Sequence, residues 1–106
     1  MVPVSVLILA KNEEQNIVDC IQSVSFAEEV LVIDDGSTDR TEELALGLGA
    51  KVIHHSMNGD WGAQQTFAIQ AASKKWVLFL DADERIAEPL GKEIAEAVAK
   101  DDDYAY

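Results

Sequence analysis

The chain has 106 residues, 48% of them apolar and 26% charged, a balance that fits one small globular domain over its whole length and excludes a disordered chain. With 20 acidic against 8 basic residues the net charge is −12, which excludes nucleic acid as a partner held by counterion release and opposes unaided docking on anionic lipid. The single cysteine, Cys20, excludes an internal disulfide, and no apolar run approaches the ~18 residues of a membrane span. Residues 4–9 (Val-Ser-Val-Leu-Ile-Leu) read as a strand buried on both faces. Asn12 with Gln15 offers a capping box for a helix whose apolar stripe is Ile17, Cys20, Ile21 and Val24, which makes Cys20 a core residue. Residues 30–33 form a second strand, followed by Asp34-Asp35-Gly36-Ser37. Asp39 with Glu42 reads as a second capping box, Leu44 and Leu48 share one face of that helix, and Gly49 suits its stop. Residues 51–54 make a short third strand, and its last residue His54 and the following His55 face opposite ways as structural rather than metal-binding histidines.

After a loop to Asp60, a weaker helix is expected from about Ala63 to Ser73, with Trp61-Gly62 at its start. Residues 76–80 form a fourth strand that stops at Asp81-Ala82-Asp83-Glu84. A last helix starts near Pro89 with the stripe Leu90, Ile94, Ala97 and Val98, and the tail Tyr104-Ala105-Tyr106 looks like the start of a further strand. Strand and helix alternate four times, which predicts an α/β fold: a Rossmann-like parallel sheet with helices on both faces and ligands at the carboxyl ends of the strands.

Three of those ends carry acidic residues: Glu13 after the first strand, Asp34 and Asp35 after the second, Asp81 and Asp83 after the fourth. Such a cluster repels itself unless a hard cation joins it, and Mg2+ or Mn2+ would share its shell with a substrate diphosphate. The small Ala82 leaves room for a bulky ligand. No EF-hand loop, G-x-G-x-x-G or Walker A sequence is present, which argues against calcium-loop, dinucleotide and P-loop proteins.

The segments Val-Ser-Val-Leu-Ile-Leu-Ala-Lys-Asn-Glu-Glu, Val-Ile-Asp-Asp-Gly-Ser-Thr-Asp-Arg-Thr and Leu-Phe-Leu-Asp-Ala-Asp-Glu, in that order and spacing, resemble the N-terminal half of a family 2 glycosyltransferase. Within that family the chain is most similar to bacterial lipopolysaccharide core glycosyltransferases, through Gly62-Ala63-Gln64-Gln65-Thr66-Phe67-Ala68. The resemblance implies the nucleotide-sugar-binding half of a GT-A fold. It implies that Leu9, Lys11 and Glu13 line the base and ribose pocket, that Asp35 hydrogen-bonds the base beside Asp34, and that Asp81-Ala82-Asp83 is the DXD motif. Asp83 would touch the metal directly, and Asp81 would bind ribose, or the metal through water. Gln65, counted among the donor-binding residues, and Thr66 depart from the family, which usually has a basic residue and Asn there.

The expected activity is transfer of a hexose or heptose from a nucleotide-diphosphate sugar, a UDP-sugar foremost, to a saccharide or lipid-linked acceptor with inversion. The catalytic base is expected downstream of these residues, so the isolated chain should transfer no sugar. Rival readings are a nucleotide-binding module without catalysis and a receiver-like Mg2+ domain; against the latter, Lys11-Asn12 stands where its acidic pair should close the first strand. A cytoplasmic location, at the inner face of the inner membrane for a longer protein, and a homo-oligomer formed through an exposed sheet edge complete the expectations.

Overall fold

The structure is a computed structural model that describes residues 2–56 and 59–100. Four strands, β1 (Val2–Ala10), β2 (Ala27–Asp34), β3 (Lys51–His54) and β4 (Trp76–Asp81), alternate with four helices, α1 (Ile17–Ser23), α2 (Thr41–Gly47), α3 (Trp61–Ala71) and α4 (Glu88–Lys100). The strands form one parallel sheet in the order β3-β2-β1-β4. The chain steps outward from β1 to β3, then crosses back to place β4 on the other side of β1. Such a reversal opens a crevice at the carboxyl ends of the strands around β1. The aromatic tail at residues 104–106 lies outside the described residues.

β1 is buried on both faces because both faces are covered. Val4, Val6, Ile8 and Ala10 pack with Ile17, Cys20 and Ile21 of α1, Ala45 of α2 and Ile94 and Val98 of α4. Leu7 packs on the opposite face with Leu31 and Ile33 of β2 and Ala68 of α3, flanked by Leu9, Phe67 and Phe79. So α1, α2 and α4 cover one face, and α3 covers the other. The two-residue period of a strand then decides where each terminal side chain goes.

Local chemistry shifts some expected boundaries. Asn12 does not cap α1, which starts at Ile17. It adopts a left-handed conformation (φ 53°), which Asn tolerates, and its side-chain oxygen accepts the Thr38 N–H at 2.7 Å. Asp39 holds the turn before α2 by accepting the Thr41 N–H at 3.0 Å but does not cap the helix, which starts after Arg40, and Glu42 completes no box and pairs instead with His54 at 2.7 Å. Gly49 ends α2 as expected. At φ +87° its N–H donates to the Leu46 carbonyl (3.1 Å) while Ala50 N–H donates to Ala45 (3.2 Å), the paired bonds of a Schellman cap. Asp60, unanticipated, caps α3 by accepting the Ala63 N–H at 2.9 Å, so that helix begins two residues early. Leu48 and Leu90 are exposed rather than part of the buried stripes they were expected to join.

At the amino end of the α3 face, Glu29 is buried. Its carboxylate accepts from Ser5 Oγ (2.6 Å), Ser73 N–H (2.9 Å), Ser73 Oγ (2.9 Å) and Lys51 Nζ (3.0 Å). One side chain thereby ties β1, β2, β3 and the α3–β4 connection together.

Candidate functional site

At the carboxyl ends of β1 and β2 lies a cavity of about 130 Å3 lined by Leu9, Ala10, Lys11, Asp35, Trp61 and Gln64. Alternation assembles it. Leu9 belongs to the α3 face, and Asp35 continues the face of Leu31 and Ile33. The Asp35 N–H donates to the Ala10 carbonyl at 2.9 Å, which carries the ladder one residue past the end of β2. Trp61 and Gln64, from the first turn of α3, close the cavity. Two wider clefts, of about 450 and 410 Å3, flank the α1–β2 turn, away from these strand ends.

One residue earlier on β2, the side chain turns the other way. Asp34 is buried and pairs in register with His54. Its carboxylate accepts from the Ser37 N–H at 3.1 Å and from the Ser37 hydroxyl, and lies 3.4 Å from His54 Nδ1. Asp34 is therefore an anchor of the β2–α2 turn, not a cavity wall beside Asp35. His54 bridges Asp34 and Glu42, and the Glu42 contact foremost holds its pKa above the ordinary value. His55 faces α3, stacked on Phe67 with ring centres 3.7 Å apart. The two histidines do face opposite ways.

Gln64 is the residue that sequence reasoning missed. It is buried, its amide donating to the His55 carbonyl (2.7 Å) and its oxygen lying 2.6 Å from His55 Nδ1. Gln65 is exposed and lies outside the cavity lining. The helical period held the signal: Gln64, Phe67, Ala68 and Ala71 stand at i, i+3, i+4 and i+7, and Gln65 is off that stripe. Glu13 also lies outside the lining. Its N–H donates to Thr41 Oγ1 (2.9 Å) and its carboxylate accepts from the Asn16 amide (3.3 Å).

Beyond β1 on the other side, β4 delivers the acidic turn. Asp81 pairs in register with Leu9 and, two residues after Phe79, takes the α3 face. The turn is closed by Asp81 N–H to Glu84 Oε1 (2.8 Å) and Glu84 N–H to the Asp81 carbonyl (2.9 Å). Ala82 is packed into the core at 1% exposure, which corrects its expected place against a ligand: a larger side chain has no room there, and Asp81 and Asp83 are left at the surface on either side. Partial burial, then the charges of Glu84 and Asp83, hold the Asp81 carboxyl above its ordinary pKa. Among the described residues no three side chains converge as a complete metal cage. A cation here would take one or two carboxylates from the protein and the rest of its shell from a ligand, as Mg2+ and Mn2+ do with phosphates. The mutual repulsion within the turn fits such a cation.

The same charges reach Cys20, whose thiol lies 3.7 Å from the Asp81 carbonyl oxygen. Burial first, then Glu84, Asp83 and Glu13, push its pKa up to about 12. Cys20 is a core thiol, as expected. Thiol reagents should label it in the folded chain no faster than the chain opens. Because the folded thiol stays protonated while an unfolded one ionises near pH 9, its contribution to stability should be whole below pH 9 and fall away from pH 9 towards 12. Rapid labelling at pH 8 by a neutral maleimide, with the fold intact by circular dichroism, would contradict this.

The family model for glycosyl transferase family 2 matches residues 5–106. A glycosyltransferase of Rickettsia typhi is 43% identical over 89% of this chain and 32% of its own length. The lipopolysaccharide core biosynthesis glycosyltransferase LpsC of Rhizobium meliloti is 31% identical over 95% of this chain and 39% of its own. Among solved structures, glucosyl-3-phosphoglycerate synthase from Mycobacterium tuberculosis in complex with Mn2+, UDP and phosphoglyceric acid aligns with a TM-score of 0.70 and 32% identity, over 82% of this chain and 35% of that one. The chain spans about a third of the length of these relatives.

Proposed function

Because the chain belongs to glycosyl transferase family 2, we propose that it forms the donor-binding part of an enzyme that moves a sugar from a nucleoside-diphosphate sugar to a saccharide or lipid-linked acceptor. The observation that carries this is the division of labour across the sheet. A small, mostly apolar cavity lies at β1 and β2, and an acidic turn lies one strand further on, at β4. A nucleoside diphosphate has the same two ends, an uncharged ring and a charged diphosphate. Asp83 and Asp81 would hold Mg2+ or Mn2+, which supplies electrostatic stabilisation of the charge that grows on the leaving diphosphate. Lys11 and Asp35 orient the donor from the β1 and β2 ends. The synthase complex with Mn2+ and UDP supports a UDP-sugar and a divalent cation. The likeness to LpsC and the segment Gly62–Ala68 support a lipopolysaccharide-type acceptor, and the transferred sugar would be a hexose or heptose.

Calorimetric titration with UDP tests this reading. Binding should appear with Mn2+ and weaken sharply in EDTA, and Asp83→Asn should remove most of the difference. Equal affinity in Mn2+ and EDTA would remove the metal from the proposal. The absence of any UDP binding would overturn the donor site itself.

A further inference from the structure

Among the described residues, Trp61 joins neither core cluster and no ring stack. It is 53% exposed, whereas Trp76, the other tryptophan, is 3% exposed in the core. A large aromatic left in water forgoes the stabilisation that its burial would bring. Yet Trp61 is held firmly in place: it is the first residue of α3, directly after the Asp60 cap and three residues before the Gln64–His55 clamp. It forms a wall of the strand-end cavity, whose remaining lining is Leu9, Ala10 and Gln64 with one cation and one anion, Lys11 and Asp35. The cavity, at about 130 Å3, is well below the ~300 Å3 and more of a site that encloses a whole drug-sized ligand. It has room for a single ring-sized group.

We propose that Trp61 is the stacking wall for the nucleobase of the donor, its indole covering a base seated on Leu9 and Ala10. The proposal rests on the donor-binding reading and adds to it the group that holds the base. Topology separates the base from the sugar. The acidic turn that would hold the diphosphate follows β4, on the far side of β1 from β2. The transferred sugar is attached beyond the diphosphate, so the ring that reaches back to the β1–β2 side is the base. Aromatic faces stack on any base, and such stacking accounts for a substantial part of nucleotide affinity.

The test compares UDP with inorganic pyrophosphate, both with Mn2+, on the 106-residue chain. Trp61→Ala should weaken UDP about tenfold and leave pyrophosphate unchanged, and Trp61→Phe should retain most of the UDP affinity. UDP should also shield Trp61 from quenching by iodide, while Trp76 is already shielded by burial. Undiminished UDP affinity in Trp61→Ala overturns the proposal. Equal weakening of both ligands would make Trp61 a scaffold residue and overturns it as well. Failure of the unaltered chain to bind either ligand is the separate result that defeats the donor site.

Discussion

Glu29→Ala should cost about 3 kcal/mol of stability and lower the melting temperature by about 10 °C or more at pH 7. Glu29 lies at the amino end of β2, away from the candidate site, so nothing but the scaffold is at stake. Burial alone would raise its pKa, but the bonds from Ser5, Ser73 and Lys51 outweigh that and bring it down to about 2. A depression of that size corresponds to about 3 kcal/mol of preference for the charged form in the folded chain. Removal of the carboxylate leaves the Ser5 and Ser73 hydroxyls and the Ser73 N–H without their acceptor. The pH dependence follows from the sign. A depressed carboxylate contributes fully above its unfolded value near 4.5, and that contribution is lost as pH falls towards 2. Glu29→Gln should therefore be less stable than the unaltered chain at pH 7, with the gap closing between pH 4.5 and 2. A Glu29→Ala chain that melts within a few degrees of the unaltered one would show that the network contributes little.

Glu29 also marks where sequence reasoning reached its limit. The strands were legible because runs such as Val4–Leu9 and Trp76–Leu80 are apolar on both faces, as a covered parallel sheet requires. Their alternation with helices was enough for the fold class. But the apolar run begins only at Val30, where β2 was expected to start, three residues after its first residue Ala27. What makes Glu29 a strand residue is Ser5 and Ser73, 24 and 44 positions away, and no local pattern contains them. Asn12 was misread for the same reason: its partner Thr38 is 26 positions distant, and the tertiary bond prevails over the capping propensity. The cavity lining was legible at Leu9, Lys11 and Asp35, where the strand ends are explicit. It was not legible at Gln64, where choosing between two adjacent glutamines needs the helical phase, and that phase is set by an Asp60 cap that went unrecognised.

The same one-residue resolution separates Asp34 from Asp35, and a pair of substitutions should separate them in solution. Asp34→Ala should lower stability by about 2–3 kcal/mol and UDP affinity along with it. Its carboxylate is buried, and its loss strands the Ser37 N–H and hydroxyl and leaves His54 with Glu42 alone. The turn that carries Asp35 into the cavity then loses its inner tie. Asp35→Ala should do the converse. Asp35 is half-buried at the cavity wall, and its backbone bond to Ala10 does not depend on its side chain. Its melting temperature should fall less than that of Asp34→Ala while UDP affinity falls. Parallel thermal melts and UDP titrations read both effects. Should Asp34→Ala bind UDP poorly at an unchanged melting temperature, Asp34 would be a ligand contact and the inward orientation described above would be wrong. Should Asp35→Ala melt early and bind normally, the two neighbours would have exchanged roles, and the face alternation that places Leu9, Asp35 and Asp81 together would fail with them.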